Sequence, residues 1–121
     1  MRRRSLLLSG LLLVPAARAG DAMPPAERER VERLIVYVES RADVAFMRNG
    51  AAYSSREAAR FLRGKMDRMG GDVSTAQQFI DRIASRSSTS GQPYMIRHAD
   101  GRIEQAAKFL GDELKRIEKA R

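Results

Sequence analysis

Apolar residues recur at helical spacing in four stretches of the chain. Val31, Leu34, Ile35 and Val38 form one apolar stripe and predict a helix from about Pro25 to Ser40. Pro24-Pro25 suits its first turn, where the donor that proline lacks would be unpaired anyway. Glu27 and Glu29 lie near its start, where the helix dipole favours anions, and the alternation Glu27-Arg28-Glu29-Arg30 reads as a solvated face. In a second helix, Ala58, Phe61, Leu62, Met66 and Met69 supply the apolar face. Ser54 and Glu57 form a capping box at its start, and Gly70-Gly71 ends it. A third opens with the pair Ser74 and Gln77 as another box and carries Ala76, Phe79, Ile80, Ile83 and Ala84 on one side. The fourth spans about Gln105 to Ala120, with Ala106, Phe109, Leu110, Leu114 and Ile117 inward and Lys115, Arg116, Lys119 and Arg121 at the cation-favouring end.

Between these helices the pattern changes. Asp43 to Tyr53 is too turn-rich for a helix and holds the pair Asn49-Gly50, which favours positive φ angles; it reads as a short extended segment with a tight turn. Tyr94 to His98 and Arg102 to Glu104, separated by Ala99-Asp100-Gly101, read as a β-hairpin. The expected fold is mainly α (α+β), with about four helices around a small β-hairpin. No repeat or linker divides residues 20–121, which read as a single domain. Met47, Met66, Met69 and Met95 read first as core filler, ahead of a partner surface.

The first nineteen residues have a different character. Arg2, Arg3 and Arg4 precede the apolar run Leu6 to Val14, and Pro15 leads to Ala17-Arg18-Ala19. This is the tripartite pattern of a cleaved export signal, residues 1–19, with cleavage between Ala19 and Gly20. The apolar run is far shorter than the roughly 20 residues a membrane-spanning helix needs. Arg3-Arg4-Ser5-Leu6-Leu7 also resembles a twin-arginine signal, but the short n-region and strongly apolar core favour the general secretory route. Absence of Cys leaves no lipidation site and no disulfide, so the expected product is a soluble periplasmic protein without a membrane anchor.

Export also changes the charge. The formal net charge is +8, but four basic residues and no acidic ones fall in residues 1–19, which leaves 19 basic against 15 acidic residues. That is an ordinary balance for a small domain, whereas nucleic-acid binders concentrate a basic stripe on one face. Nucleic acid is therefore not an expected partner. With one His and no Cys the usual zinc arrangements are excluded, and no cofactor or metal is expected. His98 reads as a strand residue.

Four segments have a recognisable combination of residues: Phe46-x-Arg48-Asn49-Gly50; Glu57-Ala58 through Leu62-Arg63-x-Lys65; Thr75-Ala76-x-x-Phe79-Ile80; and Ala84-Ser85-x-Ser87-Ser88-x-x-Gly91-x-Pro93-Tyr94. Together they resemble the YfeK-like family of small exported bacterial proteins, a domain of unknown function. The resemblance covers nearly all of residues 20–121 and is most specific in the last segment. It implies an exported, mainly helical domain and supplies no catalytic residues. Gln92 stands where members of that family often carry Lys, which removes a cation from the loop and weakens anion binding there.

Candidate chemistry concentrates in the same segments. The Ser85–Gly91 loop offers a run of hydroxyls and backbone N–H groups suited to an anion or a carbohydrate hydroxyl. Ser, Thr and Gly are also what a helix stop uses to satisfy its own backbone. If the Phe46 segment pairs with the Tyr94 strand, a polar concavity collects Arg48, Asn49, Tyr53, Ser85, Ser87, Ser88, Ser90, Gly91 and Tyr94, which form the candidate binding surface. The plainer alternatives are a surface ion-pair partner for Arg48, a turn residue for Asn49 and half-buried aromatics for Tyr53 and Tyr94. The expected function is a non-enzymatic interaction or ligand-binding module whose partner is an envelope protein or a small polar ligand. The rival is a small enzyme acting on an envelope polymer through Glu57, Tyr53, Tyr94 and the serine loop. That rival lacks a paired acid and base, since Glu57, Asp67 and Asp72 are explained as cap or surface charges. A structural envelope protein comes third, unsupported by any repeat or heptad.

Overall fold

Four helical elements pack on one face of a small antiparallel sheet built from two hairpins. The computed structural model describes residues 23–120. The export signal and its cleavage site at Ala19 and Gly20 lie outside the described residues. In chain order the elements are α1 (Pro25–Ser40), β1 (Ala45–Arg48), β2 (Ala51–Tyr53), α2 (Ser55–Met69), α3 (Ala76–Gln78, continued by a π-helical run Phe79–Ala84), β3 (Met95–Arg97), β4 (Ile103–Gln105) and α4 (Ala106–Lys119). The residues form an α+β domain of four helices with a four-stranded sheet. No helix among the described residues is long and apolar enough to cross a membrane.

The sheet has the order β2-β1-β3-β4, with every neighbouring pair antiparallel. The Asp43–Tyr53 segment is thus a full hairpin, β1 with β2, turned at Asn49 and Gly50, both with positive φ (51° and 82°). It pairs with the second hairpin through β1 and β3, where Phe46 opposes Ile96 and Met47 opposes Met95. Since side chains alternate across a strand, Tyr53, Phe46, Ile96 and Glu104 form one row across the sheet, with Arg48 and Tyr94 on the same side. Ile96 is fully buried beneath the helices. His98 falls just past β3 at the hairpin turn, where its backbone N–H donates to the Arg102 carbonyl and its Nε2 lies 2.5 Å from a Glu104 oxygen.

The core follows the expected helical stripes. Val31, Leu34, Ile35 and Val38 of α1 are buried, as are Ala106, Phe109, Leu110, Leu114 and Ile117 of α4. Phe79, Ile80, Ile83 and Ala84 fill the centre from the π-helical run. The capping box of α2 is complete, with Ser54 Oγ accepting from Glu57 N–H and Glu57 Oε1 accepting from Ser54 N–H.

Three local expectations change. The start of α3 uses Thr75, one residue later than expected: Thr75 Oγ1 accepts from Gln78 N–H, and Gln78 Oε1 accepts from both Ser74 N–H and Ser74 Oγ. Thr75 and Gln78 have the same spacing as Ser74 and Gln77, and the start at Thr75 also leaves the Ala76 N–H to Glu27, which reaches across from α1 to accept from it. Glu27 is consequently half-buried and pairs with Arg30, whereas Glu29 and Arg28 stay exposed. Met69 is 48% exposed, because α2 ends there and the chain leaves the core at Gly70. Of the other three methionines, Met66 is buried and Met47 and Met95 are half-buried on the outer side of the sheet.

Candidate functional site

The pairing of β1 with β3 brings the candidate residues of the two hairpins together, and it divides them into two groups. The first group is a hydrogen-bonded knot between the β1–β2 turn and the loop 85–93. Asn49 Nδ2 donates to Ser87 Oγ at 3.3 Å, and Ser90 Oγ donates to Asn49 Oδ1 at 2.5 Å, across 38 and 41 residues of sequence. Ser87 is buried; its Oγ accepts from the N–H groups of Thr89 and Ser90, while its carbonyl accepts from Gly91 N–H. Gly91 has φ 76°, a conformation for which glycine is the unstrained choice. Ser85 Oγ donates to the Asp81 carbonyl at the end of α3, and exposed Ser88 lies 3.4 Å from Met69 Sδ. These hydroxyls are bonded within the chain, as the helix-stop reading of the serine run expects. A serine run after a helix has carbonyls and turn N–H groups within reach, and they take up its donors and acceptors.

The second group, Arg48, Tyr53 and Tyr94, lines a recess of about 290 Å³ between α2 and the inward face of the sheet. Phe46 and Ile96 contribute from the sheet, Ala58, Phe61 and Leu62 from α2, and Phe109 and Leu110 from α4. Aromatic rings meet edge to face around it, Phe61 with Tyr94 at 5.8 Å and Phe46 with Phe109 at 6.1 Å between centroids. The Arg48 guanidinium lies 4.6 Å over the Phe61 ring and 5.3 Å over Tyr53, and donates to the Tyr53 hydroxyl at 3.3 Å. Arg60, Arg68 and Glu57 complete the lining on the α2 side. The Glu57 carboxyl is held below its ordinary range by the Ser54 backbone N–H, so it is an ionised acceptor committed to the cap. None of Arg48, Arg60 and Arg68 has a carboxylate within ion-pair distance among the described residues.

Behind the recess lies Lys65, which reading the sequence assigned no role. It is only 2% exposed, and its Nζ donates to the Arg86 carbonyl at 2.8 Å and to Tyr94 Oη at 2.9 Å. Burial, followed by the nearby cations Arg48 and Arg68, lowers its pKa from the ordinary lysine value. Burial raises that of Tyr94, against a smaller opposing effect of Arg48. The available signal was positional: Lys65 falls between Leu62 and Met66 on the apolar face of α2, where a charged residue is out of pattern. Glu113, buried on the face of α4 beside Leu114, is a second such case, and Arg116 neutralises it through two hydrogen bonds. No group of His, Asp and Glu side chains among the described residues has the geometry to hold a metal ion.

Residues 25–118 match a family of unknown function (DUF5329). A similar protein, the uncharacterized protein YfeK of Salmonella typhimurium (strain LT2), is 38% identical over 68 residues, covering 56% of this chain and 57% of that relative. The chain thus spans little more than half the length of that relative. No solved structure matches the chain.

Proposed function

The chain belongs to the DUF5329 family, whose description carries no activity, and on the geometry of the recess we propose that it is an exported, non-enzymatic binding module of the periplasm. The observation that carries this reading is a space of about 290 Å³, walled by aromatic and aliphatic side chains and left unfilled by the protein's own core. Cores normally pack to the density of organic crystals, and a concave apolar space with a few converging polar groups is the usual form of a ligand site. The rival reading, an enzyme acting on an envelope polymer, needs an acid and a base in reach of one another. The carboxylate lining the recess, Glu57, is engaged by Ser54, which favours binding over catalysis.

Export rests on the arrangement of Arg2–Arg4, the Leu6–Val14 run and Ala17-Arg18-Ala19. In a bacterial host, the mass of the protein in the periplasmic fraction is expected to be that of a chain starting at Gly20; a cytoplasmic chain retaining Met1 as the main species refutes export. Binding is tested by titrating the purified, 15N-labelled protein with two naphthalene-bodied probes, one neutral and one anionic. The expected result is saturable binding of at least one probe, with amide shifts concentrated at Ala58, Phe61, Tyr94 and Phe109. No saturable binding of either probe, or shifts centred outside the recess, overturns the reading.

A further inference from the structure

We propose that the recess takes a small amphiphile with a single anionic head group, its apolar body among the aromatic rings and its head on the arginines of the lip. This deepens the binding reading and rests on it. The argument is charge complementarity at an apolar opening. Arg48, Arg60 and Arg68 line the recess and none forms a salt bridge among the described residues, although the Arg60 charge acts on the Glu57 carboxyl at one end of the opening. Several other arginines of the domain are ion-paired, among them Arg63 with Glu32, Arg41 with Asp43 and Arg116 with Glu113. The three at the recess are the ones that converge on an empty space.

Gly64 supports the same conclusion. It lies inside α2, where glycine costs roughly 1 kcal/mol relative to alanine. A methyl group there would stand 3.2 Å from Arg68 Nη1, so the glycine leaves room for the guanidinium to lie close over the helix beside the opening, a contact that a shift of a few tenths of an ångström would also relieve. Arg48 is positioned from the opposite wall by stacking on Phe61 and Tyr53, an arrangement that fixes its plane while leaving most of its N–H groups free for an anion. An anion at the lip would also relieve the mutual repulsion of Arg48, Arg68 and buried Lys65. Glu57 is the one carboxylate at the opening and excludes a head group from its own end, towards the Ser54 cap. The volume lies at the lower limit of ordinary small-molecule sites, which suits a single ring system or a short alkyl chain rather than a polymer.

The test compares 1-anilinonaphthalene-8-sulfonate with N-phenyl-1-naphthylamine, which share the aromatic body and differ in the sulfonate. The anionic probe is expected to bind at one site per chain at least tenfold more tightly than the neutral one, with affinity falling as salt rises. Arg48→Gln, and separately the double variant Arg60→Gln with Arg68→Gln at exposed positions, are each expected to weaken the anionic probe about tenfold or more beyond any effect on the neutral one. Unchanged near-ultraviolet circular dichroism of each variant shows that the fold, and with it the rings of the recess, is intact. Displacement of the anionic probe by decanoate or by 3-phenylpropionate, and not by decanol, shows whether an alkyl or an aryl acid is preferred. Equal binding of both probes, insensitive to the variants, overturns the head-group assignment and leaves the recess as a binding site. Failure of both probes to bind overturns the recess itself.

Discussion

Lys65 Nζ donates a 2.9 Å hydrogen bond to Tyr94 Oη inside the protein, and the same ammonium lies 4.9 Å from the Tyr94 ring centroid. With its second bond, to the Arg86 carbonyl, the side chain ties α2 to both ends of the loop that precedes β3. A buried cation held by neutral acceptors costs stability through its charge and returns part of it through satisfied acceptors. Lys65→Met keeps most of the volume and leaves the Arg86 carbonyl and Tyr94 hydroxyl without their donor, so a loss of roughly 1–3 kcal/mol is expected. Lys65→Ala adds a cavity and is expected to lose more. Urea unfolding of both variants checks the order.

The same pair sets a pH dependence. The Lys65 pKa is lower in the fold than the ordinary 10.5, so over the interval between the two values the unfolded chain binds more protons. Stability therefore rises with pH in that interval as the buried ammonium loses its proton. Tyr94 has the opposite sign: its pKa is raised above 10.0, and stability is lost as pH climbs beyond that value, where the unfolded phenol ionises first. Wild type is expected to gain on Lys65→Met with rising pH until about 10.5, where the unfolded lysine also loses its proton, while the ionisation of Tyr94, present in both proteins, lowers the stability of each. Parallel denaturation curves at alkaline pH measure this; a difference that shrinks as pH rises to 10 contradicts it.

In the loop, the serines are expected to be unequal. Ser87 is buried and its hydroxyl serves two backbone N–H groups and Asn49, so Ser87→Ala should cost about 1–3 kcal/mol and loosen the loop, seen as faster amide exchange at Thr89 and Ser90. Ser88 is exposed beside Met69, and Ser88→Ala should stay within about 0.5 kcal/mol. Equal effects of the two substitutions would refute the division.

At the start of α2, Ser54→Ala removes the oxygen that accepts from Glu57 N–H and is expected to cost roughly 1 kcal/mol in thermal or urea unfolding. The reciprocal Glu57 bond has a pH signature. Its carboxyl is depressed below 4.5, so its contribution is present above that pH and is lost as pH falls through the folded value. Glu57→Gln should flatten that part of the acid limb.

The two glycines after α2 should also part company. A methyl group on Gly70 would collide with Met66 Sδ and stand 2.6 Å from the Met66 carbonyl oxygen, whereas one on Gly71 would meet nothing within 4 Å. Gly70→Ala is expected to cost about 1–3 kcal/mol, because backbone must shift, and Gly71→Ala to lie near zero. Melting temperatures of the two variants decide the comparison.

What the sequence by itself determined is what depends on neighbours within one helical turn or one strand. The apolar stripes of α1 and α4 were legible because a 3.6-residue repeat directs side chains to one face whatever that face later meets. The Ser54–Glu57 box closes within three residues, and the Asn49-Gly50 turn follows from tolerance of positive φ. Tertiary structure alone decided what depends on segments far apart in sequence. Opposing Phe46 to Ile96 joins two hairpins, which local signals define only one at a time. That register placed Asn49 on Ser87, tied the serine run to a distant turn, and set Arg48 between Phe61 and Tyr53 above a space that no single element encloses. Glu27 caps the start of α3 from another helix. In sequence Lys65 stands out only as a charge on the apolar face of α2, and it is buried because Tyr94 and the Arg86 carbonyl, supplied by the loop folding back, replace the water it gives up.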